Sequence, residues 1–122
     1  MKMTQYVDGF LLPLPADKLD AYKAMANKAG EVWMEHGALA YWETIGDDMK
    51  SGGKMTFEQA AGTKENELVV FAWVVYPSRE ERDVIMAKVF ADPRLQENSE
   101  MPFDMDRMAY AGFKPLVVFN KN

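Results

Sequence analysis

Residues 68–76 read Leu-Val-Val-Phe-Ala-Trp-Val-Val-Tyr, an unbroken apolar, β-branched and aromatic run that ends at Pro77. Such a run is a strand signal. Side chains alternate between the two faces of a strand, so one parity is Leu68, Val70, Ala72, Val74 and Tyr76, and the other is Val69, Phe71, Trp73 and Val75. An antiparallel strand with one wet face carries polar residues at every second position. This one carries none, so both of its faces must be covered. The segment from Tyr6 to the Pro13 and Pro15 punctuation behaves in the same way, with Val7 and Leu11 on one side and Tyr6, Phe10 and Leu12 on the other.

Leu19, Tyr22, Ala26, Ala29, Trp33 and His36 follow at spacings of three and four, one stripe along a helix that Gly37 ends as a left-handed cap. Residues 38–45 read as a second strand, with Tyr41 and Trp42 on opposite faces. The connection 47–66 is polar and Gly-rich, and its 55–61 piece is ambiguous between a short strand and a helical turn. Its length is unusual for a compact domain, so it either holds structure of its own or covers something. Ser78 and Glu81 form a capping-box pattern that opens a second helix running to about Ala91, with Val84, Ile85, Val89 and Phe90 as its apolar face. Asp92 and Pro93 break it and cap one more short turn. Residues 107–119 read as a fourth strand, kinked near Gly112 or Pro115. The order βαββαβ predicts one α+β domain over residues 1–122, a ferredoxin-like fold with both helices on one face of a four-stranded antiparallel sheet.

Two helices cover one face only. An apolar patch beyond roughly 400 Å² marks an association site. A second copy of the same sheet, related by a two-fold axis, is the simplest cover and predicts a homodimer. The alternative cover is the 47–66 connection folding back over the sheet, which its polarity argues against.

Fourteen Lys and Arg against nineteen Asp and Glu give a net charge of −5, with the basic residues scattered singly. Nucleic acid and anionic membranes are poor partners for such a surface. The chain has no cysteine, which excludes disulfides, thiolate nucleophiles, zinc knuckles and iron–sulfur clusters. The apolar stretch 10–14 is broken by Pro13 and too short for a signal or membrane segment, so a cytoplasmic location is expected. There is no glycine-rich phosphate loop, no GxSxG elbow and no HExxH pair.

The words Tyr6-Val7-Asp8-Gly9-Phe10, Asp92-Pro93-Arg94, Met101-Pro102-Phe103-Asp104, Arg107-Met108 and Tyr110-Ala111-Gly112-Phe113 together form a fairly specific pattern. On them the chain resembles, over nearly its whole length, the bacterial DUF1428 (YbaA-like) family. The resemblance implies a dimeric α/β-barrel in which two ferredoxin-like sheets pack face to face, in agreement with the face argument. It supplies no catalytic residue, since the family has no established activity. The chain departs from the pattern at Ala111, where the family often has a second glycine, and at Glu58-Gln59, where related chains tend to carry Pro-Arg. The superfamily so implied also hosts cofactor-independent monooxygenases and isomerases acting on aromatic or lactone substrates. By analogy of fold, the function expected is binding of a small aromatic molecule or such catalysis without a cofactor, and the alternative is a non-catalytic dimeric binding or regulatory module.

Two residues are weak catalytic candidates. His36 stands directly before the Gly37 cap, where an imidazolium interacts favourably with the last carbonyls of a helix, and this reading is preferred to a general base. With no second histidine it makes no metal site. Asp8 sits in an apolar strand and must be paired or hydrogen-bonded. Its expected partners are Arg107 and Tyr110 on the fourth strand, a structural pair rather than a base. Tyr6, Trp33, Trp42, Arg107 and Tyr110 are the candidates for lining a ligand pocket, although aromatic residues at these spacings more often form core or interface.

Overall fold

A computed structural model describes residues 4–50, 52–96 and 101–121. Four strands, β1 (Tyr6–Pro15), β2 (Ala40–Ile45), β3 (Glu67–Tyr76) and β4 (Ala109–Phe113), form one antiparallel sheet in the order β2-β3-β1-β4. Three α-helices join them: α1 (Leu19–Glu35), the short α2 (Phe57–Ala61) and α3 (Arg79–Ala91). Strand order, antiparallel pairing and the positions of α1 and α3 are those of the ferredoxin-like fold expected from the sequence.

Register sorts the residues by face. Asp8 lies opposite Val74, Phe10 opposite Ala72 and Leu12 opposite Val70, so the even positions of β1 and β3 share one face. That face carries the core. Val74 and Tyr76 pack with Val32, Ala38, Ile85 and Val89, and Leu12, Leu14 and Val70 pack with Tyr22 and Ala26 of α1. Tyr41, Glu43 and Ile45 of β2 and Tyr110 and Gly112 of β4 join it by register.

The helices follow from local rules with two corrections. On α1 the buried stripe is Tyr22, Ala26, Ala29, Gly30 and Val32, and Gly30 is required there because a Cβ would stand 2.9 Å from the Tyr41 ring. The helix stops at His36, and Gly37 follows at φ 118°, open to glycine and strained for other residues. On α3 Ile85 and Val89 are buried while Val84 and Phe90 are exposed, so only half of the expected apolar face is core. Ser78 accepts from the Glu81 amide at 3.0 Å, but the Glu81 carboxylate meets the Ser78 hydroxyl and not its backbone N–H. The complete capping box belongs to Thr56 and Gln59, which start α2, and Gly62 at φ 69° ends it. The ambiguous 55–61 piece is therefore a helical turn.

The opposite face carries Val7, Gly9, Leu11 and Pro13 of β1, Phe71, Trp73 and Val75 of β3, Trp42 and Thr44 of β2 and Phe113 of β4, again by register. Here α2 contacts β1 and β3 at one end, where Pro13 and Val69 are buried, and Phe57 meets Phe71 edge-on with ring centroids 5.9 Å apart. The 47–66 connection thus covers one corner of this face. Trp42, 56 % exposed, stacks on Trp73 at 5.4 Å, and Phe71 and Phe113 also remain exposed. Strand β4 is shorter than expected. It ends at Phe113, and the following segment leaves Leu116 and Phe119 about as exposed as side chains can be, at 89 % and 91 %. Among the described residues no strand pairs with 114–119, and composition by itself does not make a strand without a partner.

Candidate functional site

Under α1, α3 and the segment 101–108 lies a cavity of about 740 Å³ on the core face of the sheet. Its walls include Phe10, Met25, Trp33, Met86, Met108 and Tyr110, with Phe10 and Tyr110 stacked at 4.9 Å. A second cavity, of about 830 Å³, lies between α1 and β2 and is lined by Leu19, Lys23, Asn27, Met34 and Ile45 among others. Tyr22, Tyr41 and Glu43 line both. The Tyr22 hydroxyl donates to Glu43 Oε1 at 2.7 Å and the Tyr41 hydroxyl donates to Glu43 Oε2 at 2.8 Å. Burial, and then the charge of Glu43, push both phenols well above the usual tyrosine range, so they stay protonated donors. Trp33 leans on Tyr41 at 5.7 Å. Sequence reasoning passed over Glu43, although the signal was present: two residues from Tyr41 in a strand, it shares that residue's face.

The predicted candidates fall in different places. Trp33 and Tyr110 line the cavity as expected. Trp42 is among the residues bordering it, but its ring alternates to the opposite face, onto Trp73. Tyr6 lies outside it, beneath the guanidinium groups of Arg79 and Arg82 at 5.5 and 5.3 Å. Neither Asp8 nor His36 lines either cavity.

Asp8 is fully buried on the core face, and its main partner is Arg82 of α3 rather than Arg107. Arg82 Nη2 and Nε donate to Oδ1 at 2.9 and 3.0 Å, and the Tyr76 hydroxyl donates to Oδ2 at 2.8 Å. The chain extends through Tyr76, which accepts from Trp33 Nε1 at 2.9 Å. Tyr110, the other expected partner, accepts from Arg82 Nη2 at 3.3 Å and lies near enough to Asp8 that burial, and then the Asp8 charge, raise its pKa. The Asp8 carboxylate holds the Arg82 guanidinium still more firmly charged than usual. Gly112 lies opposite Asp8, and a Cβ there would stand 2.5 Å from the Tyr6 hydroxyl and 2.8 Å from Arg82 Nη2.

His36 Nε2 lies 2.9 Å from Asp92 Oδ2, a specific pair in place of the diffuse helix-end interaction expected. Asp92 also accepts from the backbone N–H, Nε and Nη2 of Arg94, which hold its carboxyl well below the usual range. This cluster ties the end of α1 to the end of α3.

Arg107 closes a third clasp. Its Nη1 and Nη2 donate to both Glu67 oxygens at 2.8 and 2.7 Å, and Nη2 also donates to the Gly62 carbonyl, fastening the end of α2 to β3. Arg107 and the Lys64 amide lower the Glu67 pKa from 4.5 to about 2. A carboxylate depressed on folding stabilises fully above its unfolded pKa, and that contribution is lost as pH falls through the folded one. Acid titration of the Glu67→Gln variant should therefore lack one component of the stability loss that the parent shows between about pH 4.5 and about pH 2. Superimposable acid limbs in circular dichroism would contradict the assignment.

Among the described residues no group of acidic or histidine side chains is arranged to hold a metal ion, and no helix is long and apolar enough to cross a membrane.

A ferredoxin-like α+β fold with a cavity between its helices and sheet is the class that fold and site define. The chain belongs to the family described as protein of unknown function (DUF1428), which it matches over residues 5–105. It is 46 % identical over 114 residues to the uncharacterized protein YbaA of Escherichia coli (strain K12), covering 93 % of this chain and 97 % of that one. Among solved structures it is similar to a dimeric ferredoxin-like protein from an uncultured marine organism, at TM-score 0.55 and 12 % identity over 96 % of this chain and 98 % of the other. It is also similar to a putative antibiotic biosynthesis monooxygenase from Nitrosomonas europaea, at TM-score 0.54 and 10 % identity over 95 % and 94 %. These two likenesses establish the fold.

Proposed function

We propose that the protein is a homodimer in which each subunit binds a small, mainly apolar aromatic molecule in the cavity beneath α1 and α3. The observation that carries this reading is the cavity itself: an aromatic and Met-rich lining of about 740 Å³ with a few charged groups, Glu43, Lys28 and Arg94, at its border. Its size is in the range of small-molecule sites. Association rests on the face carrying the exposed Trp42, Phe71 and Phe113 and the half-buried Trp73, and the exposed Leu116, Val117 and Phe119 add to the surface that a second copy would cover. That a neighbour of the same fold is called dimeric supports this.

A second reading, a cofactor-independent monooxygenase or isomerase, is favoured by the likeness to the putative monooxygenase. In it Glu43, which borders both cavities, takes the substrate proton in place of His36 or Asp8, whose bonds are spent on Asp92 and on Arg82 and Tyr76. A non-catalytic binding module uses the same cavity without turnover. The acidic charge weighs against nucleic acid as a partner, and a cytoplasmic location, checked by cell fractionation, is part of the proposal.

A thermal-shift screen of planar aromatic metabolites tests binding, because a ligand that binds the folded state alone raises the melting temperature, by about 2.7 kcal/mol of stability at a hundredfold excess over Kd. A hit should lose its shift in Met108→Glu, which puts a charge into the cavity wall. Hits unaffected by that variant would move the site elsewhere. Oxygen uptake dependent on a hit separates the enzyme from the module.

A further inference from the structure

Glu43 has no cationic partner among the described residues, although every other carboxylate held in a polar cluster of this core has one: Asp8 with Arg82, Asp92 with Arg94 and Glu67 with Arg107. It is partly buried and receives only the two neutral phenols of Tyr22 and Tyr41. Each phenol takes one lone-pair direction of one oxygen, and a carboxylate has about four. The two phenols leave the other acceptor directions to further donors, and neither brings a positive charge.

The surroundings match a particular counter-charge. Tyr41 stands against Trp33 at 5.7 Å, and Tyr22 meets Phe103 edge-on at 5.6 Å, so the carboxylate is flanked by aromatic rings. Aromatic faces together with a carboxylate attract an organic ammonium, and the two cations that also border this cavity, Lys28 and Arg94, have partners of their own. The ring of Tyr41 reaches this position because Gly30 leaves it room on α1. The adjoining cavity walls supply Met25, Phe10 and Met108 for an apolar body. We propose that the ligand of this cavity is an amine-bearing aromatic compound whose ammonium sits at Glu43 between Tyr22, Tyr41 and Trp33 and whose ring system fills the Met-rich space. This rests on the reading that the cavity binds a small molecule, and names the class of that molecule.

Three probes of one shape decide it: naphthylethylammonium, naphthylethanol and naphthylacetate, titrated calorimetrically into the full chain. The ammonium should bind about tenfold more tightly than the alcohol, with the acetate weakest. Glu43→Gln keeps an acceptor for the two phenols while removing the charge, and should abolish the preference for the ammonium while leaving the alcohol's affinity within about twofold. Asp83→Asn, which removes an exposed carboxylate outside both cavity linings, should retain the preference, so that its loss in Glu43→Gln reports that carboxylate and not the change in net charge. Equal binding of ammonium and alcohol, or a preference unchanged in Glu43→Gln, overturns the ammonium assignment and leaves the cavity reading intact. If Met108→Glu leaves the binding of all three probes unaltered, or none binds, the cavity reading itself fails.

Discussion

Replacing Trp73 by glutamate should convert the protein into a folded monomer. Trp73 lies in the middle of β3 on the face opposite the helices, stacked on Trp42 and touching Phe71 at 5.4 Å. Within one subunit its ring is only partly covered, so a carboxylate there reaches water and the subunit core, which lies across the sheet, is not disturbed. In a face-to-face dimer the same carboxylate is buried against apolar groups with no partner, twice by symmetry, at a cost of several kcal/mol. A loss of about 3 kcal/mol already weakens dimerisation by more than roughly a hundredfold. Sedimentation equilibrium should show the parent as a dimer and Trp73→Glu as a monomer with the parent's far-ultraviolet spectrum, while Trp73→Leu stays dimeric. A parent chain that sediments as a stable monomer at micromolar concentration would end the dimer proposal.

Asp8→Ala should be the most destabilising single substitution at a polar position. It leaves Arg82, whose side chain is 15 % exposed, with its charge turned toward the empty place and only the exposed Asp83 as an anionic partner among the described residues, and it leaves the Tyr76 hydroxyl without its acceptor. Removing one member of a buried ion pair costs about 3–5 kcal/mol. For a domain of this size that is a fall of roughly 10–20 °C in melting temperature. Asp83→Asn, which breaks only the exposed half of the cluster, should cost within about 1 kcal/mol. Because an apolar replacement of both partners removes the unpaired charge as well, Asp8→Leu combined with Arg82→Met should be more stable than Asp8→Ala. If Asp8→Ala unfolds within about 1 kcal/mol of the parent, the pair is not holding α3 to the sheet as described.

The elements with a strong local signal were legible in the sequence. The run in β3, the three-and-four spacing of α1, the Gly37 stop and the Ser78 start are all set by neighbours within a few residues, and each forms where expected. Pairing across long separations was not legible. Asp8 and Arg82 are 74 positions apart, and the sequence pointed instead to Arg107, read there as the start of the fourth strand. Nothing local distinguishes the two arginines. The difference arises because α3 crosses the sheet beside Gly112 and lays Arg82 over Asp8, whereas Arg107 precedes β4 and turns to Glu67. Glu43 escaped for a related reason: one acidic residue in a strand looks like solvated surface until α1 is placed over it.

The sequence by itself determined that strands 1 and 3 have no polar face, because alternation is a property of the chain's own geometry and holds whatever the strands pack against. Only the tertiary structure decided what each face meets. Val70, Val74 and Asp8 turn to the helices, and Phe71 and Trp73 turn away, since that choice depends on which side α1 and α3 cross. It also decided that the 47–66 connection, through α2, covers one corner of the outer face and leaves the tryptophans open, because docking of a short helix is settled by contacts with β1 and β3 that no local pattern encodes.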